Sequence, residues 1–517
     1  MPDQSKVVPV AGQTDEDSPM PTLTPPLDWP AIGTAHHFID GLARTGRGAA
    51  MAIHAPAWGR HLVDLPGASP DDLDDAIAAA RRTFDLGTWR RLGPEQRAAC
   101  LKAAGDALLG RRDELARLVV FDNGKTLGEA HVDVFAAAAA FHQGAVFALR
   151  PSEEARGTER GVVRHVRREP IGVVAGITPF NATLSFCALK AAPALAAGNS
   201  VVLKPSERAP LLAIAVCDAL ASAGVPAGAV NLVHGGSAVA AALCADPRVD
   251  MISLTGGTDA GRSAMHAAAG TIKRLVLELG GKSAHIILAD ADLDQAITAA
   301  AGAIFKNAGQ RCLSGSRLLV AREVADQVEA RLAALAESLV LGDPFDPAVQ
   351  GGALIDERAV AACEAFVATS RAEGLRVAAG GVRVDTLRPG TYFRPTVLTG
   401  ANRDSYAAQE ELFGPVLTII RVADAEEAIA VANHSRFGLT GAVWSRDEQQ
   451  ALEVARSLRA GYVWVNTFGA MFGDIPFGGY KLSGLGREAG HEGFDAYTEA
   501  KSIMVDTTGG TTALRFT

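Results

Sequence analysis

The spacing of apolar and polar residues predicts helices over most of the first part of the chain. Between Ser69 and Ala80, in SPDDLDDAIAAA, a serine, a proline and several acidic residues precede an alanine-rich run, and this order is typical of a helix start. Helical spacing continues through PEQRAACLKAAGDALLGRRDELARLVV and then VDVFAAAAAFHQGAVFAL. We therefore expect a mostly helical region up to about residue 150.

Short β-branched runs begin to alternate with helical stretches at Gly172. The predicted strands are GVVAGIT, SVVLKPS, VNLVHG and VDMISLTGG, and helices ending near Ala197 and Gly224 separate the first three. Such repeated βαβ units predict a parallel sheet flanked by helices. A second α/β region follows LELGGKSAHIILADADL and contains RLLVARE, VLTII and GAVWSRD. We expect two successive α/β domains with a ligand cleft between them.

One segment interrupts the first α/β region. RPSEEARGTERGVVRHVRREP alternates charged and apolar residues, which predicts a two-stranded excursion. Exposed strands of this kind favour pairing with another chain, and the C-terminal KSIMVDT is a candidate partner strand. The alternative is a surface hairpin with no role in assembly.

Composition and charge indicate a globular protein that acts on a small molecule. Hydrophobic residues make up 48% of the 517 residues, and charged residues make up 21%. No apolar run reaches the roughly 18 to 20 residues that a membrane helix needs. The formal net charge of -9 is spread along the chain, which argues against nucleic acid or an acidic membrane as the main partner.

The cysteines and the N-terminus favour a cytoplasmic protein. The six cysteines show neither CxxC pairs nor the spacing of metal ligands, so we expect no disulfide scaffold and no metal site. Residues 1–34 carry acids and prolines where a secretory signal would need a basic start and an apolar run. We expect this segment to be a flexible N-terminal tail without a part in the chemistry.

The segment KNAGQRCLSGSR places Cys312 among glycines and small polar residues. Arg311 and nearby backbone N–H groups would stabilise a thiolate, which is the nucleophilic form of cysteine. A cysteine hydrolase would also need a histidine partner, and none is evident among the twelve histidines. The segment by itself leaves Cys312 open between a nucleophile and a small residue in a turn.

Two further polar side chains follow predicted strands. Glu278 ends the apolar run of LELGGKS, where burial would raise the pKa of its carboxyl group and suit it to general-base catalysis. A buried structural glutamate is the alternative. Asn181 in TPFNAT carries an amide that would donate to an oxyanion, or it is an ordinary turn residue.

The strand-to-helix junctions supply a candidate dinucleotide site. Gly256 and Gly257 in SLTGGTDAG lie where a strand ends and a helix begins, so backbone N–H groups there would face an anion, although the segment is not GxGxxG. Lys204 and Glu207 in LKPSE would hydrogen-bond ribose hydroxyls at the edge of the parallel sheet. Because a carboxylate at this position repels a 2′-phosphate, Glu207 favours NAD over NADP.

Taken in order, these segments resemble the aldehyde dehydrogenase superfamily over about His36 to Asp506. The segments that carry the resemblance are TPFNAT, LKPSE, SLTGG, LELGGKS, NAGQRC, EELFGPV, VWVN and PFGGYKLSG. The resemblance implies an α/β subunit with a Rossmann-like NAD-binding domain (35–148 and 169–281), a catalytic domain (282–482) and a small β oligomerisation arm (149–168 and 496–517). It also implies a homodimer or a homotetramer.

The resemblance implies roles for individual residues. Cys312 would attack the aldehyde, the Asn181 side chain and the Cys312 N–H would hold the oxyanion, and Glu278 would activate the water that hydrolyses the thioester. Lys190 and Glu499 match the positions of a proton-relay pair. The implied cofactor contacts, with Glu411 and Phe413 at the nicotinamide ribose, are Ile177, Thr178, Pro179, Phe180, Lys204, Ser206, Glu207, Gly236, Gly256, Gly257, Gly261, Leu279, Glu411 and Phe413.

The positions that match the family's substrate funnel are mostly apolar, and some are small, which favours an aromatic or medium-chain apolar aldehyde. They are Val134, Ala182, Ser185, Phe186, Leu189, Arg311, Leu313, Met471 and Phe477. Core packing would explain several of them equally well. The sequence departs from the family's PWNF, since Phe180 replaces the tryptophan and Ala182 follows the asparagine.

Two alternatives stay open. One branch of the family passes the thioester to coenzyme A and lacks the base glutamate, so the presence of Glu278 favours hydrolysis. Arg311 before the cysteine also occurs in that branch. A catalytically silent binding protein on the same fold would have lost Cys312 or Glu278, and both are present.

Overall fold

Strands and helices alternate along most of the chain in the computed structural model, which describes residue 23 and residues 36–509. The strands are β1 (His37–Ile39), β2 (Leu42–Arg44), β3 (Ala50–Ala55), β4 (Arg60–Pro66), β5 (Glu153–Glu159), β6 (Val162–Pro170), β7 (Val173–Thr178), β8 (Ser200–Pro205), β9 (Val230–Leu232), β10 (Met251–Thr255), β11 (Arg274–Glu278), β12 (Ala284–Ile287), β13 (Arg317–Ala321), β14 (Arg376–Ala379), β15 (Thr396–Ala401), β16 (Val416–Val422), β17 (Phe437–Gly438), β18 (Thr440–Trp444), β19 (Tyr462–Val465), β20 (Tyr480–Lys481), β21 (Gly484–Leu485) and β22 (Thr498–Asp506). The helices are α1 (Pro70–Leu86), α2 (Pro94–Gly110), α3 (Arg112–Asn123), α4 (Leu127–Ala148), α5 (Thr183–Ala197), α6 (Leu212–Ser222), α7 (Ser237–Ala245), α8 (Thr258–Ala269), α9 (Leu293–Phe305), α10 (Arg322–Ser338), α11 (Glu357–Ala372), α12 (Tyr406–Gln409), α13 (Ala425–Asn433), α14 (Glu448–Ser457) and α15 (Gly490–Asp495), with short 3-10 helices at Lys306–Gly309 and Asp385–Leu387.

The first large sheet has eight strands in the order β2-β1-β9-β8-β7-β10-β11-β21. The strands from β9 to β11 in this order are parallel, and the flanking strands are antiparallel. The four strands predicted from Gly172 onward are β7 to β10, and their parallel pairing is confirmed. The chain runs outward from β7 through β8 to β9 and then returns to place β10 on the other side of β7, so the strand order reverses between β7 and β10. Open parallel sheets bind ligands at such a reversal.

The second large sheet has seven strands in the order β14-β15-β16-β13-β12-β18-β19. All neighbours are parallel except β14 and β15. Both large sheets are covered on two faces: Val201 and Val202 of β8 pack into different apolar clusters, as do Leu318 and Leu319 of β13. The predicted pair of α/β regions is therefore confirmed, while the exact domain limits stay a prediction.

The two-stranded excursion forms as β5 and β6, and β22 completes a three-stranded sheet in the order β22-β6-β5. β22 pairs antiparallel with β6 from Thr498 opposite Pro170 to Asp506 opposite Val162. The candidate partner strand KSIMVDT therefore pairs within its own chain. The outer edges of β22 and β5 carry no further strand in the described part of the chain, and assembly through this sheet stays a prediction.

The helical prediction for the first 150 residues holds for α1 to α4 but misses β1 to β4. The start of α1 carries the predicted signals, because the Ser69 side chain accepts the Asp72 N–H, the Asp72 carboxylate bonds back to Ser69, and Pro70 stands in the first turn. Two of the missed strands have three residues each, and β3 reads AMAIHA. Such short or alanine-rich runs give a weak strand signal.

The predicted tail, residues 1–34, lies outside the described residues except for Leu23, as do residues 510–517 of the predicted arm. All six cysteines are free. Within residues 36–509, no helix is both long and apolar enough to cross a membrane, and no group of three or more His, Cys, Asp or Glu side chains is placed to hold a metal ion.

Candidate active site

A cavity of about 940 Å³ opens at the carboxyl edge of the first sheet, where the strand order reverses. Residues that follow β7, β8 and β10 line one part of it, and Gln310, Cys312 and residues 411–413 come from the second α/β region. The predicted cleft between the two α/β regions is therefore present. It brings together side chains that are far apart in the sequence.

Cys312 and Glu278 lie side by side at the wall of this cavity. Glu278 is the last residue of β11 and is 1% exposed, while Cys312 is half-buried in the loop after the 3-10 helix Lys306–Gly309. The Cys312 thiol interacts with the Glu278 carboxylate. Neither oxygen of that carboxylate receives a hydrogen bond of ordinary geometry from another described residue. A thiol and a carboxylate with free acceptor oxygens are thus adjacent.

Burial sets the ionisation of both groups. Burial raises the pKa of Glu278 well above its usual range, as the sequence predicts, and Glu488 adds to this effect while Lys190 opposes it. Burial also raises the pKa of the Cys312 thiol, Glu278 adds to the rise, and Arg311 opposes it. Arg311 thus acts on the thiol pKa in the predicted direction, but desolvation by burial outweighs it. A thiol of this kind would need a base to ionise, and Glu278 is the carboxylate beside it.

The segment before Cys312 is held in an uncommon backbone conformation. Asn307 and Ala308 have φ angles of 51° and 49°, in the left-handed region that residues with side chains rarely adopt. The Glu129 carboxylate on α4 accepts the Asn307 N–H at 2.6 Å, and the Gln310 side-chain oxygen accepts the Ile355 N–H at 2.9 Å. These long-range hydrogen bonds fix the turn that places Cys312 on the cavity wall.

Asn181 lies beside the same segment. It occupies the loop between β7 and α5, is 5% exposed, and lines the cavity. Its amide donates to the Gln310 carbonyl, two residues before Cys312, at 2.9 Å. Because a side-chain amide carries two N–H groups, a second donor is available to an oxyanion formed at the thiol.

The predicted pairing of Lys190 with Glu499 is wrong. Lys190 on α5 is fully buried and forms an ion pair with Glu488, and the Thr255 hydroxyl donates to the same carboxylate at 3.3 Å. Glu499 instead lies on the exposed side of β22, where its carboxylate pairs with Arg274 at 2.7 Å. A glutamate on this surface strand cannot reach the buried lysine, so the carboxylate that pairs with Lys190 is Glu488.

Glu488 is the candidate residue that sequence reasoning missed. It lies in GREAGHEG, which has neither strand nor helix periodicity. An isolated antiparallel bridge joins its backbone to Phe477, with both N–H···O distances at 2.7 Å. The pairing of β21 with β11 brings this segment next to Glu278. No local pattern marks the residue, because its position depends on these long-range pairings.

Most of the predicted cofactor positions line the cavity. The lining includes Ile177, Thr178, Pro179, Phe180, Lys204, Ser206, Glu207, Gly256, Gly257, Glu411 and Phe413. The remaining three lie just behind it, since Gly236 precedes the lining residue Ser237, and Leu279 packs over Gly261.

Two groups in the cavity could hold ribose hydroxyls. Lys204 is buried, and its ammonium lies 3.4 Å from the Glu207 carboxylate. At the end nearer Cys312, the Glu411 carboxylate accepts the Gly281 N–H at 2.8 Å. A Cβ at Gly280 would collide with that carboxylate and displace it, so glycine at this position lets the Glu411 side chain lie where it does. The cavity thus offers carboxylates at two separate points, which fits a long ligand with two hydroxylated parts.

The predicted substrate positions fall into different environments. Phe186 lines the cavity, and Ala182, Leu189, Arg311 and Leu313 are partly exposed near Asn181 or Cys312. Ser185 and Phe477 are buried, and Met471 is 44% exposed. Val134 faces no open space, because it is fully buried on the inner side of α4. That position packs the core and does not form a pocket wall.

Comparison with known proteins identifies the family. The model of the aldehyde dehydrogenase family matches residues 44–503. The chain belongs to the aldehyde dehydrogenase family. This aldehyde dehydrogenase is 42% identical over 441 residues to betaine aldehyde dehydrogenase of Bacillus subtilis (strain 168), covering 84% of this chain and 90% of the relative.

Two further relatives cover nearly the whole aldehyde dehydrogenase. The aldehyde dehydrogenase of Enchytraeus buchholzi is 36% identical over 493 residues, which is 95% of this chain and 98% of the relative. The crystal structure of betaine aldehyde dehydrogenase from Staphylococcus aureus in complex with NAD+ superposes with a TM-score of 0.91 at 35% identity, covering 94% of this chain and 98% of that chain. The resemblance inferred from the sequence motifs is therefore confirmed at the level of family and fold.

Proposed function

We propose that the protein catalyses the NAD-dependent oxidation of an aldehyde to its carboxylic acid, with Cys312 as nucleophile and Glu278 as base. The observation that carries this proposal is the adjacency of the Cys312 thiol and the Glu278 carboxylate at the wall of a cavity at the sheet's ligand-binding edge. A thiol with a raised pKa needs a base next to it, and a base with a raised pKa suits proton transfer near neutral pH.

In the first half of the reaction, the Cys312 sulfur bonds to the aldehyde carbon while the thiol proton passes to the Glu278 carboxylate. The carbonyl oxygen becomes an oxyanion, which the Asn181 amide and the Cys312 N–H stabilise. When bound, NAD+ supplies the hydride acceptor, and loss of hydride from the former aldehyde carbon leaves a thioester on Cys312.

In the second half, Glu278 takes a proton from water, and the resulting hydroxide attacks the thioester carbon. The carbon–sulfur bond breaks, the sulfur is reprotonated, and the carboxylic acid leaves. Glu278 must release its proton between the two halves. The buried Lys190–Glu488 pair, whose charges act on the Glu278 pKa in opposite directions, offers the route.

The residues of the cavity fit a dinucleotide. Lys204 and Glu207 would hold one ribose, and Glu411 would hold the other, close to the thiol. The Glu207 side chain is partly exposed at this edge, so its negative charge would repel a 2′-phosphate and favour NAD over NADP. This agrees with the Staphylococcus aureus relative, whose structure holds NAD+.

The substrate that we propose is an aromatic or medium-chain apolar aldehyde. Among the predicted substrate positions, Phe186, Leu189 and Leu313 are partly exposed and apolar, and Ala182 is partly exposed and small. Burying apolar surface against such residues would bind the aldehyde's body and leave the carbonyl at the thiol.

Site-directed variants test the proposed function through NADH formation with benzaldehyde and with hexanal. We expect Cys312→Ala to abolish NADH formation, whereas Cys100→Ala, a matched change on α2 away from the cavity, keeps the wild-type rate. Glu278→Gln should release at most one equivalent of NADH without turnover. Steady turnover by Cys312→Ala would refute the mechanism. Acyl-coenzyme A as the product in the presence of coenzyme A would refute hydrolysis.

A further inference from the structure

Arg311 is a positive charge placed next to the nucleophile. Its neighbours Gln310 and Cys312 both line the cavity that would hold the cofactor, but Arg311 does not. Its guanidinium therefore lies on the other side of the chain, toward Glu129 and Asp133 of α4. Since NAD would fill the cavity, the aldehyde must reach Cys312 from the side that the cofactor leaves open, which is the side of Arg311.

No described side chain neutralises Arg311 through a dedicated pair. Its guanidinium forms no hydrogen bond and no ion pair with another residue in the described part of the chain. The two carboxylates that face it are engaged elsewhere. Asp133 forms a buried ion pair with Lys125, and both oxygens of Glu129 accept hydrogen bonds, from Asn307 and from Thr126.

The Arg311 guanidinium therefore keeps its positive charge. Burial lowers the pKa of Arg311, while the neighbouring Cys312, Glu129 and Asp133 oppose this effect. An arginine nevertheless stays protonated at physiological pH, because its ordinary pKa is above 12. Lys125 balances one of the two carboxylates, and Arg311 is the member of this cluster that adjoins Cys312 in the chain and acts on its thiol.

We propose that Arg311 is a specificity-determining residue that excludes aldehydes carrying a positive charge close to the carbonyl group. This inference rests on the proposed aldehyde oxidation. Betaine aldehyde, which gives several relatives their names, is such a substrate, because a quaternary ammonium is one carbon away from its carbonyl. Like charges a few ångströms apart in a partly buried site repel strongly.

The predicted substrate positions offer few groups that bind a quaternary ammonium. Proteins hold such cations on the faces of aromatic rings or beside carboxylates. Among the predicted substrate positions only Phe186 and Phe477 are aromatic, and Phe477 already packs against the Tyr462 ring at 5.7 Å. Ala182 and Leu189 offer no ring. Phe186 is thus the one aromatic side chain among these positions that lines the cavity, and Arg311 would oppose a cation bound beside it.

Two aldehydes of the same shape, one cationic and one neutral, separate the effect of substrate charge from that of substrate size. Betaine aldehyde and tert-butylacetaldehyde have the same shape, but the first carries a quaternary nitrogen where the second carries a carbon. We expect wild-type kcat/KM to favour the neutral aldehyde by about tenfold to a hundredfold. Arg311→Met should reduce this preference by about tenfold or more, and Arg311→Lys should retain most of it because it keeps the charge.

Lys306→Met is the matched control, because it removes a positive charge from an exposed side chain of the same segment. It should leave the preference unchanged, with thermal unfolding midpoints confirming that each variant is folded. Equal kcat/KM of the wild-type enzyme for the two aldehydes, or an unchanged preference in Arg311→Met, overturns the role of Arg311. If no neutral aldehyde is oxidised at all, the proposed function itself fails.

Discussion

The buried ion pair between Lys190 and Glu488 gives the sharpest test of the site as the structure describes it. Lys190 is fully buried, and the Glu488 side chain is 7% exposed. Lys190→Met would leave a carboxylate buried without its partner, which costs about 3–5 kcal/mol. Since the entropy of unfolding is about 2 cal/mol/K per residue, a chain of this length should lose about 3–5 °C in its thermal unfolding midpoint.

A second change in the pair should recover stability. In the double variant Lys190→Met, Glu488→Gln neither position carries a buried charge, so we expect the midpoint to return most of the way to that of the wild type. The exposed pair Arg274–Glu499 is the control: Arg274→Met should cost about 1 kcal/mol or less. Differential scanning calorimetry of the four proteins measures these shifts. If Lys190→Met is as stable as the wild type, or if Glu488→Gln does not rescue it, the assignment of this pair is wrong.

The same variant should move the pH profile of turnover. Lys190 holds the pKa of Glu278 below the value that burial and Glu488 would give it. Removing the lysine therefore raises the Glu278 pKa further. Because the base must be ionised to act, the acid limb of kcat against pH should shift to higher pH in Lys190→Met. An unshifted acid limb would show that Lys190 does not act on Glu278.

Two further predictions concern the cofactor and stability. Gly280→Ala should raise the KM for NAD by about tenfold or more, because the new methyl group displaces the Glu411 carboxylate. The control Gly270→Ala, whose methyl group meets no neighbouring atom, should leave that KM unchanged. Equal KM values for the two variants would show that Glu411 does not bind the ribose. Burial raises the pKa of Asp122 to about 8, although its carboxylate accepts the Leu211 N–H. The folded-state pKa lies above the unfolded value, so this residue's contribution to stability is present at low pH and decreases by about 1.4 kcal/mol per pH unit up to about pH 8. Between pH 5.5 and 7.5 the unfolding midpoint of Asp122→Asn should therefore fall less than that of the wild type, and parallel curves would contradict the shift.

Local sequence was sufficient for the elements that position the site. The alternation that predicts β7 to β10 is a property of adjacent residues, so each strand and its following helix could be read without knowing what they pack against. Glu278 could be placed in a buried setting for the same reason, since it ends a continuous apolar run. Cys312 and Asn181 were recognisable because their segments occur in a specific order along the chain.

Tertiary structure decided which charged groups meet. Glu488 and Glu499 are eleven positions apart, and nothing in their neighbours tells which one reaches Lys190. The Phe477–Glu488 bridge turns one carboxylate into the core, while β22 presents the other to Arg274 at the surface. Such pairings join residues from distant parts of the chain.

The pKa of the Cys312 thiol likewise depends on the tertiary structure and could not be predicted from neighbouring residues. Its sequence neighbour Arg311 predicted a lowered thiol pKa, but burial and Glu278 raise it. Desolvation depends on everything that surrounds a group in space, whereas the sequence shows only what precedes and follows it. The sequence by itself therefore determined the strands, the order of the motifs and the candidate nucleophile, and only the folded chain determined how the Cys312 thiol is charged and which side chains lie beside it.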